Sequence, residues 1–133
     1  MRRLVILLSS LLLLGLLSAC NSMPLSQRSD VLKNDLRRYE GTIRWDNIAN
    51  AYKMLTPDLQ KTVSAPGNLD NIKVTHYEVL EGVKVKGDRA EQRVAIRYIH
   101  KDRQVVRQII DNQIWVDLPD LGWRRDNPIP TFK

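Results

Sequence analysis

Cysteine occurs once in these 133 residues, at Cys20. A lone thiol excludes an intrachain disulfide and a thiolate metal site, so a domain built from this chain is held by its core alone. Nor does any apolar run reach the roughly 20 residues that cross a bilayer comfortably. Leu4–Leu17, interrupted by Ser9, Ser10 and Gly15, falls short. The chain is long enough for one small domain and no more.

The start of the chain is of another kind. Arg2 and Arg3, the short apolar run and a small-residue end compose an export signal over residues 1–19. Its last residues, Leu17-Ser18-Ala19-Cys20, resemble the lipobox of bacterial lipoproteins. That resemblance implies cleavage between Ala19 and Cys20, a diacylglycerol on the Cys20 thiol and an acylated amine. Several acyl chains anchor stably, because each buried methylene contributes about 0.8 kcal/mol and one chain alone is marginal. Asn21, where an aspartate would favour the inner membrane, implies transfer to the outer one. Loss of the leader takes Arg2 and Arg3 out of the net charge of +6 and leaves a mildly basic domain.

Residues 20–27 read as lipidated cysteine and polar tether, with Pro24 and no periodicity, and a domain follows over 28–133. Val31, Leu32, Leu36 and Tyr39 stand at helical spacing, with Ser29 or Asp30 as cap and Gly41 as stop. A second helix is predicted across "IRWDNIANAYKML", with Trp45, Ile48, Ala49, Tyr52 and Leu55 on one face. Thr56-Pro57-Asp58 opens a third, short one, through a capping hydroxyl, a proline at the first helical position and an acid near the dipole.

From Asn71 the period changes to two. Gly87-Asp88 reads as a two-residue hairpin turn. It sets Tyr77 against Tyr98, Val79 against Ile96 and Val85 against Ala90 on one face. Glu78 then opposes Arg97, and Lys84 opposes Glu91, on the other. A turn at Lys101–Arg103, pairing His100 with Gln104, sets Val94 against Ile110 and Ala90 against Ile114, and brings Arg97 beside Arg107. Pro119–Gly122 turns the chain into a last short piece, "GWRRD". The expectation is α+β: two to three helices over a curved antiparallel meander.

This order is similar to the NTF2-like (cystatin-like α+β) fold. "IRWDN…AYKMLTPDL", "HYEV", "DNQIWV" and "PIPTF" resemble a family of small proteobacterial lipoproteins with no agreed activity, so the likeness implies an address and an architecture. It also implies a pocket between helices and concave sheet, for which this chain offers Trp45, Tyr52, Tyr77 and Tyr98, with Asp46 and Asp111 as the nearby acids.

An acid–base pair needs two titrating groups within hydrogen-bond reach, and the register above puts Asp111 on the outer face opposite Arg93. No catalytic residue is assigned. His76 with Glu78, and His100 with Asp102, have the i, i+2 spacing a metal uses, but His76 falls opposite Ile99 and His100 opposite Thr75, on different faces. No metal or cofactor is implied. Lys84, Arg89, Arg93, Arg97 and Arg107 share the outer face with acids. An exported, lipid-anchored domain has no nucleic-acid partner, whereas anionic headgroups or an acidic protein suit it.

That outer face also collects Leu80, Ala95, Ile99, Val105, Ile109 and Trp115, an apolar strip that water alone does not explain. Two readings stay open. A second copy or an envelope protein docks there, with Trp115 central and Arg97 or Arg107 at the rim, or the segment Trp123–Phe132 folds back over it. The function expected is a lipid-anchored, periplasm-facing binding or scaffold module. An isomerase or hydrolase acting on a small apolar ligand in the concave pocket is the alternative.

Overall fold

The structure, a computed structural model, describes residues 24–133. The leader, Ala19 and Cys20 lie outside the described residues. Helices are followed by a four-stranded antiparallel sheet in the order β1-β2-β3-β4, an α+β meander.

Helix α1 spans Leu25–Trp45 and takes in Leu25, Ser26 and Gln27, which the sequence reading gave to the tether. Leu32, Asp35, Tyr39 and Ile43 recur every three or four residues along it and are buried. That stripe carries the helix through Gly41, which does not stop it. The missing side chain there leaves only open space. The helix ends where Asp46 turns extended, and the Asn47 side chain accepts from the Ala49 N–H at 2.9 Å to begin a 3-10 segment, Ile48–Met54. The second helix expected over residues 43–55 is therefore the last turn of α1 plus this tighter coil. Helix α2, Pro57–Thr62, starts at the expected proline, yet the Thr56 hydroxyl makes no cap bond. Thr56 is instead buried, and its N–H donates to the Arg125 carbonyl at 2.8 Å, fastening the helical layer to the last strand.

Strands β1 (Ile72–Lys86) and β2 (Arg89–His100) form the expected hairpin, with Gly87 at positive φ. Lys84↔Glu91 and Val85↔Ala90 pair as predicted. Further from the turn, bulges shift the ladder. Tyr77 faces Ile96 rather than Tyr98, Val79 faces Val94, Glu78 faces Ala95, and His76 faces Arg97. The shift there is even, so Tyr77 keeps its face.

Strand β3 (Val106–Leu118) departs further. Ile99 pairs with Val106 and Ala90 with Trp115, one residue away from the predicted register. Gln104, at φ 56°, lengthens the turn and donates its N–H to the His100 carbonyl at 2.8 Å. An odd slip exchanges the two faces of a strand. Asp111, Gln113 and Trp115 turn into the core, and Val106, Ile110 and Ile114 turn outward. The slip also sets Arg97 against Gln108, which removes the like-charge contact with Arg107.

Strand β4 (Gly122–Arg125) closes the meander, its edge held by Asp35 of α1, whose carboxylate accepts from the Trp123 N–H at 3.2 Å. Beyond it the chain returns to the concave face, not to the outer strip. Ile129 and Phe132 are buried, the Phe132 ring meets Tyr98 edge-on at 5.0 Å, and Tyr98 donates its hydroxyl to the Lys133 carbonyl at 2.9 Å. The core thus lies between α1, the concave sheet face and this tail, around Tyr39, Ile43, Ile96, Tyr98, Trp115 and Trp123.

Candidate functional site

At the centre of the concave face lies a polar cluster drawn from three elements. Asp111 of β3 and Arg125 of β4 are fully buried and meet as a two-pronged pair, at 2.6 and 2.8 Å. The other guanidinium hydrogens are also placed. One goes to the Tyr39 hydroxyl of α1 at 2.7 Å, one from Nε to the Asn127 carbonyl at 3.0 Å, and one to the Pro128 carbonyl at 2.8 Å. All five donors of the fork are satisfied. Gln113 extends the cluster, donating to Asp111 at 2.9 Å and to the Tyr77 hydroxyl at 2.8 Å, while its own oxygen accepts from the Trp115 indole at 3.2 Å.

Burial pushes the Tyr39 and Tyr77 hydroxyls well above the usual phenol range, so both stay protonated at neutral pH. Burial also works to discharge Arg125, but the facing oxygens of Tyr39 and Asp111 outweigh it and hold its pKa above the ordinary value. Each charge thus faces its counter-charge, and the Tyr39 ring packs edge-on against Trp115 at 5.3 Å. This cluster is built to hold its own parts. Removing one member of such a pair costs about 3–5 kcal/mol, because the other is left charged and dry.

Two clefts approach the cluster. Where the ladder jumps from Glu81↔Arg93 to Lys84↔Glu91, Gly82, Val83 and Gln92 have no partner across β1–β2. A cleft of about 470 Å³ opens there, with Glu81, Arg93 and Asn112 at its walls and Gln92 and Gln113 also lining it. Glu81 is held by Arg93 at 3.3 Å and Lys84 at 3.4 Å, hydrogen bonds that lower its pKa. A smaller cleft, of about 230 Å³, runs between α1 and β1 and borders Tyr77 and the same Gln92, beneath Lys33, Arg37 and Glu40.

The expected pocket residues do not converge on one cavity. Tyr77 joins the cluster and Tyr98 is sealed by the tail. Tyr52 is half-buried, with its pKa raised by burial. Trp45 stands 78% exposed at the end of α1, because α1 ends there instead of beginning a second helix. Asp46 is exposed, its pKa lowered by hydrogen bonds from the Asn47 backbone and the Asn50 side chain. Asp111, expected outside against Arg93, is instead the buried partner of Arg125.

On the expected interaction face, Leu80 and Val105 are exposed, Ile99 is half-buried and Arg97 points to water. Trp115 and Ile109 do not belong there. The slipped register turns both inward, and Trp115 is wholly buried; Arg107, though exposed, shares their parity. Their places are taken by Val106, Ile110 and Ile114. His76 is exposed, 3.8 Å from Glu78, and His100 lies opposite Ile72 on the buried face. Sequence reasoning missed Tyr39, Gln113 and Arg125 as partners of Asp111. The available signal was the odd-numbered polar set of β3, Asp111 and Gln113, set against Arg125, which shares the parity of Trp123 in a short last strand. Among the described residues no helix is long and apolar enough to cross a membrane. Compared with known protein families, curated proteins and solved structures, the chain matches none.

Proposed function

We propose that this protein is a lipid-anchored module of the bacterial envelope, held through Cys20, with an NTF2-like domain facing the periplasm. It works by docking a second copy of itself across the outer face of its sheet. The observation that carries this reading is the orientation of β3. Asp111 is held inside by Arg125 and Gln113 by Asp111, Tyr77 and Trp115, while Val106, 66% exposed, and Ile110, 37% exposed, are presented outside beside Leu80 and Val105. Acids of β1 (Glu78, Glu81) lie next to bases of β2 (Arg93, Arg97) on that face, so a copy related by a two-fold axis opposes unlike charges. The outer-membrane address rests on Asn21 and the anchor on the Leu17–Cys20 motif.

The test starts from the full chain expressed in a Gram-negative host. The expected product lacks residues 1–19, carries diacylglycerol and an acyl chain at Cys20 by intact mass, and sediments as a pair of copies in detergent. A mature chain without lipid refutes the anchor; a lipidated chain that sediments singly refutes the pairing.

A further inference from the structure

We infer that α1 of the unpaired copy lies along the membrane surface, with its solvent face on the anionic headgroups and Trp45 at the interface; this rests on the lipid anchor proposed above and not on the pairing, since two copies joined by their outer sheet faces point one α1 away from the bilayer. At 100° per residue, Lys33, Arg37, Gly41, Arg44 and Trp45 fall within an arc of about 120°, directly opposite the buried stripe of Leu32, Asp35, Tyr39 and Ile43. The sheet therefore holds the helix by one side and leaves this arc to the surroundings.

Three properties of the arc match a bilayer. First, the chain outside the fold is short. Between Cys20 and Leu25 stand four residues, so the lipidated thiol lies within about 17 Å of the start of α1. The helix is about 30 Å long, and lying flat keeps its far end as close to the headgroups as its near end. Second, the charge is net positive. Lys33, Arg37 and Arg44 share the arc with one exposed acid, Asp30, which Lys33 reaches only at 3.8 Å; Arg37 has no carboxylate partner among the described residues, and Glu40, which pairs with Arg44, is half-buried. Third, a tryptophan 78% exposed to water is costly, whereas at a membrane interface its ring is at home. The Arg44 guanidinium stacks on that ring at 4.7 Å, which sets a cation and an aromatic at one depth.

The three tryptophans make the test direct, because Trp115 and Trp123 are buried and Trp45 alone of them is open. The acylated full chain is reconstituted, at less than one copy per vesicle so that it stays unpaired, into vesicles of phosphatidylglycerol and phosphatidylethanolamine doped with brominated phosphatidylcholine. Bromolipid should quench the emission component that a Trp45→Phe variant lacks, and aqueous acrylamide should not. About 1 M salt, with a screening length of about 3 Å, should reverse that pattern. Lys33→Gln and Arg37→Gln should each lower the docked-to-undocked ratio about five-fold. If acrylamide quenches Trp45 and bromolipid does not, the helix stands off the membrane and the inference is overturned while the anchor stands, including the case where α1 serves a protein partner instead. A chain whose intact mass carries no lipid at Cys20 overturns both.

Discussion

The two faces of β3 invert the usual arrangement of a sheet. Inward it presents Asp111 and Gln113 with Ile109 and Trp115; outward it presents Val106, Ile110 and Ile114 with Gln108 and Asn112. Counting apolar residues favours the opposite register, and the protein adopts this one because Arg125 arrives from β4 with a complete set of partners. A buried polar residue costs little once every donor and acceptor is met. The comparison teaches that the inside of this sheet is specified by hydrogen bonding, and that its apolar residues are thereby released to the outside.

The sharpest way to break the comparison is to remove one charge from the inside. Asp111→Ala should destabilise the fold by about 3–5 kcal/mol in urea titrations, since Arg125 is left unpaired in a dry site. The pair of changes Asp111→Leu and Arg125→Met should recover a large part of that loss. An additive double variant would mean that the two side chains are not coupled.

Alkali tests the same interior. Tyr39 and Tyr77, like the half-buried Tyr52, have pKa values raised by burial, so above pH 10 these two alone make the unfolded chain release two protons that the folded one keeps. Their contribution is fully present below the unfolded phenol pKa of about 10 and is lost as pH rises toward the folded values. Stability should fall by roughly 2.7 kcal/mol per pH unit in that window. Tyr39→Phe with Tyr77→Phe should flatten the slope, whatever the double change does to stability at neutral pH. Phenolate absorbance should show the two hydroxyls ionising together with unfolding; ionisation well before it would mean the cluster is open to water.

Adjacent residues on β3 sharpen the contrast. Ile109 packs against the core and Ile110 faces out. Ile109→Glu should cost about 1–3 kcal/mol, whereas Ile110→Glu should stay within about 0.5 kcal/mol and abolish pairing in sedimentation. Pairing that survives Ile110→Glu would remove the outer face from the proposed function.

Much of the fold was legible. Period-two patterning, Gly87-Asp88 and Thr56-Pro57 locate the strands, the hairpin and α2, because those signals are local. The β3 register was not legible, since both of its faces carry aliphatic residues and the choice depends on Arg125, which is distant in sequence. The bulges of β1 hid the pairings of Tyr77 and Glu78 for a related reason: a two-residue turn fixes the ladder near itself and nothing local fixes it ten residues away. The polar cluster was invisible for as long as Asp111 was counted on the wrong face.

Helix α1 repeats the contrast of inside and outside on a smaller scale. Its inner stripe overrides Gly41, which by local chemistry is a stop, and so carries Trp45 out to the surface. Glycine within a helix costs about 0.5–1 kcal/mol relative to alanine, mostly through the freedom it has when unfolded. Open space surrounds the missing side chain, and Gly41 has no positive φ that would penalise a Cβ. Gly41→Ala should therefore raise stability by about 0.5–1 kcal/mol with the denaturant slope unchanged. A glycine acting as a helix stop in the left-handed conformation would respond with the opposite sign, because alanine there is strained. The sign of this one small effect decides whether α1 runs unbroken from Leu25 to Trp45.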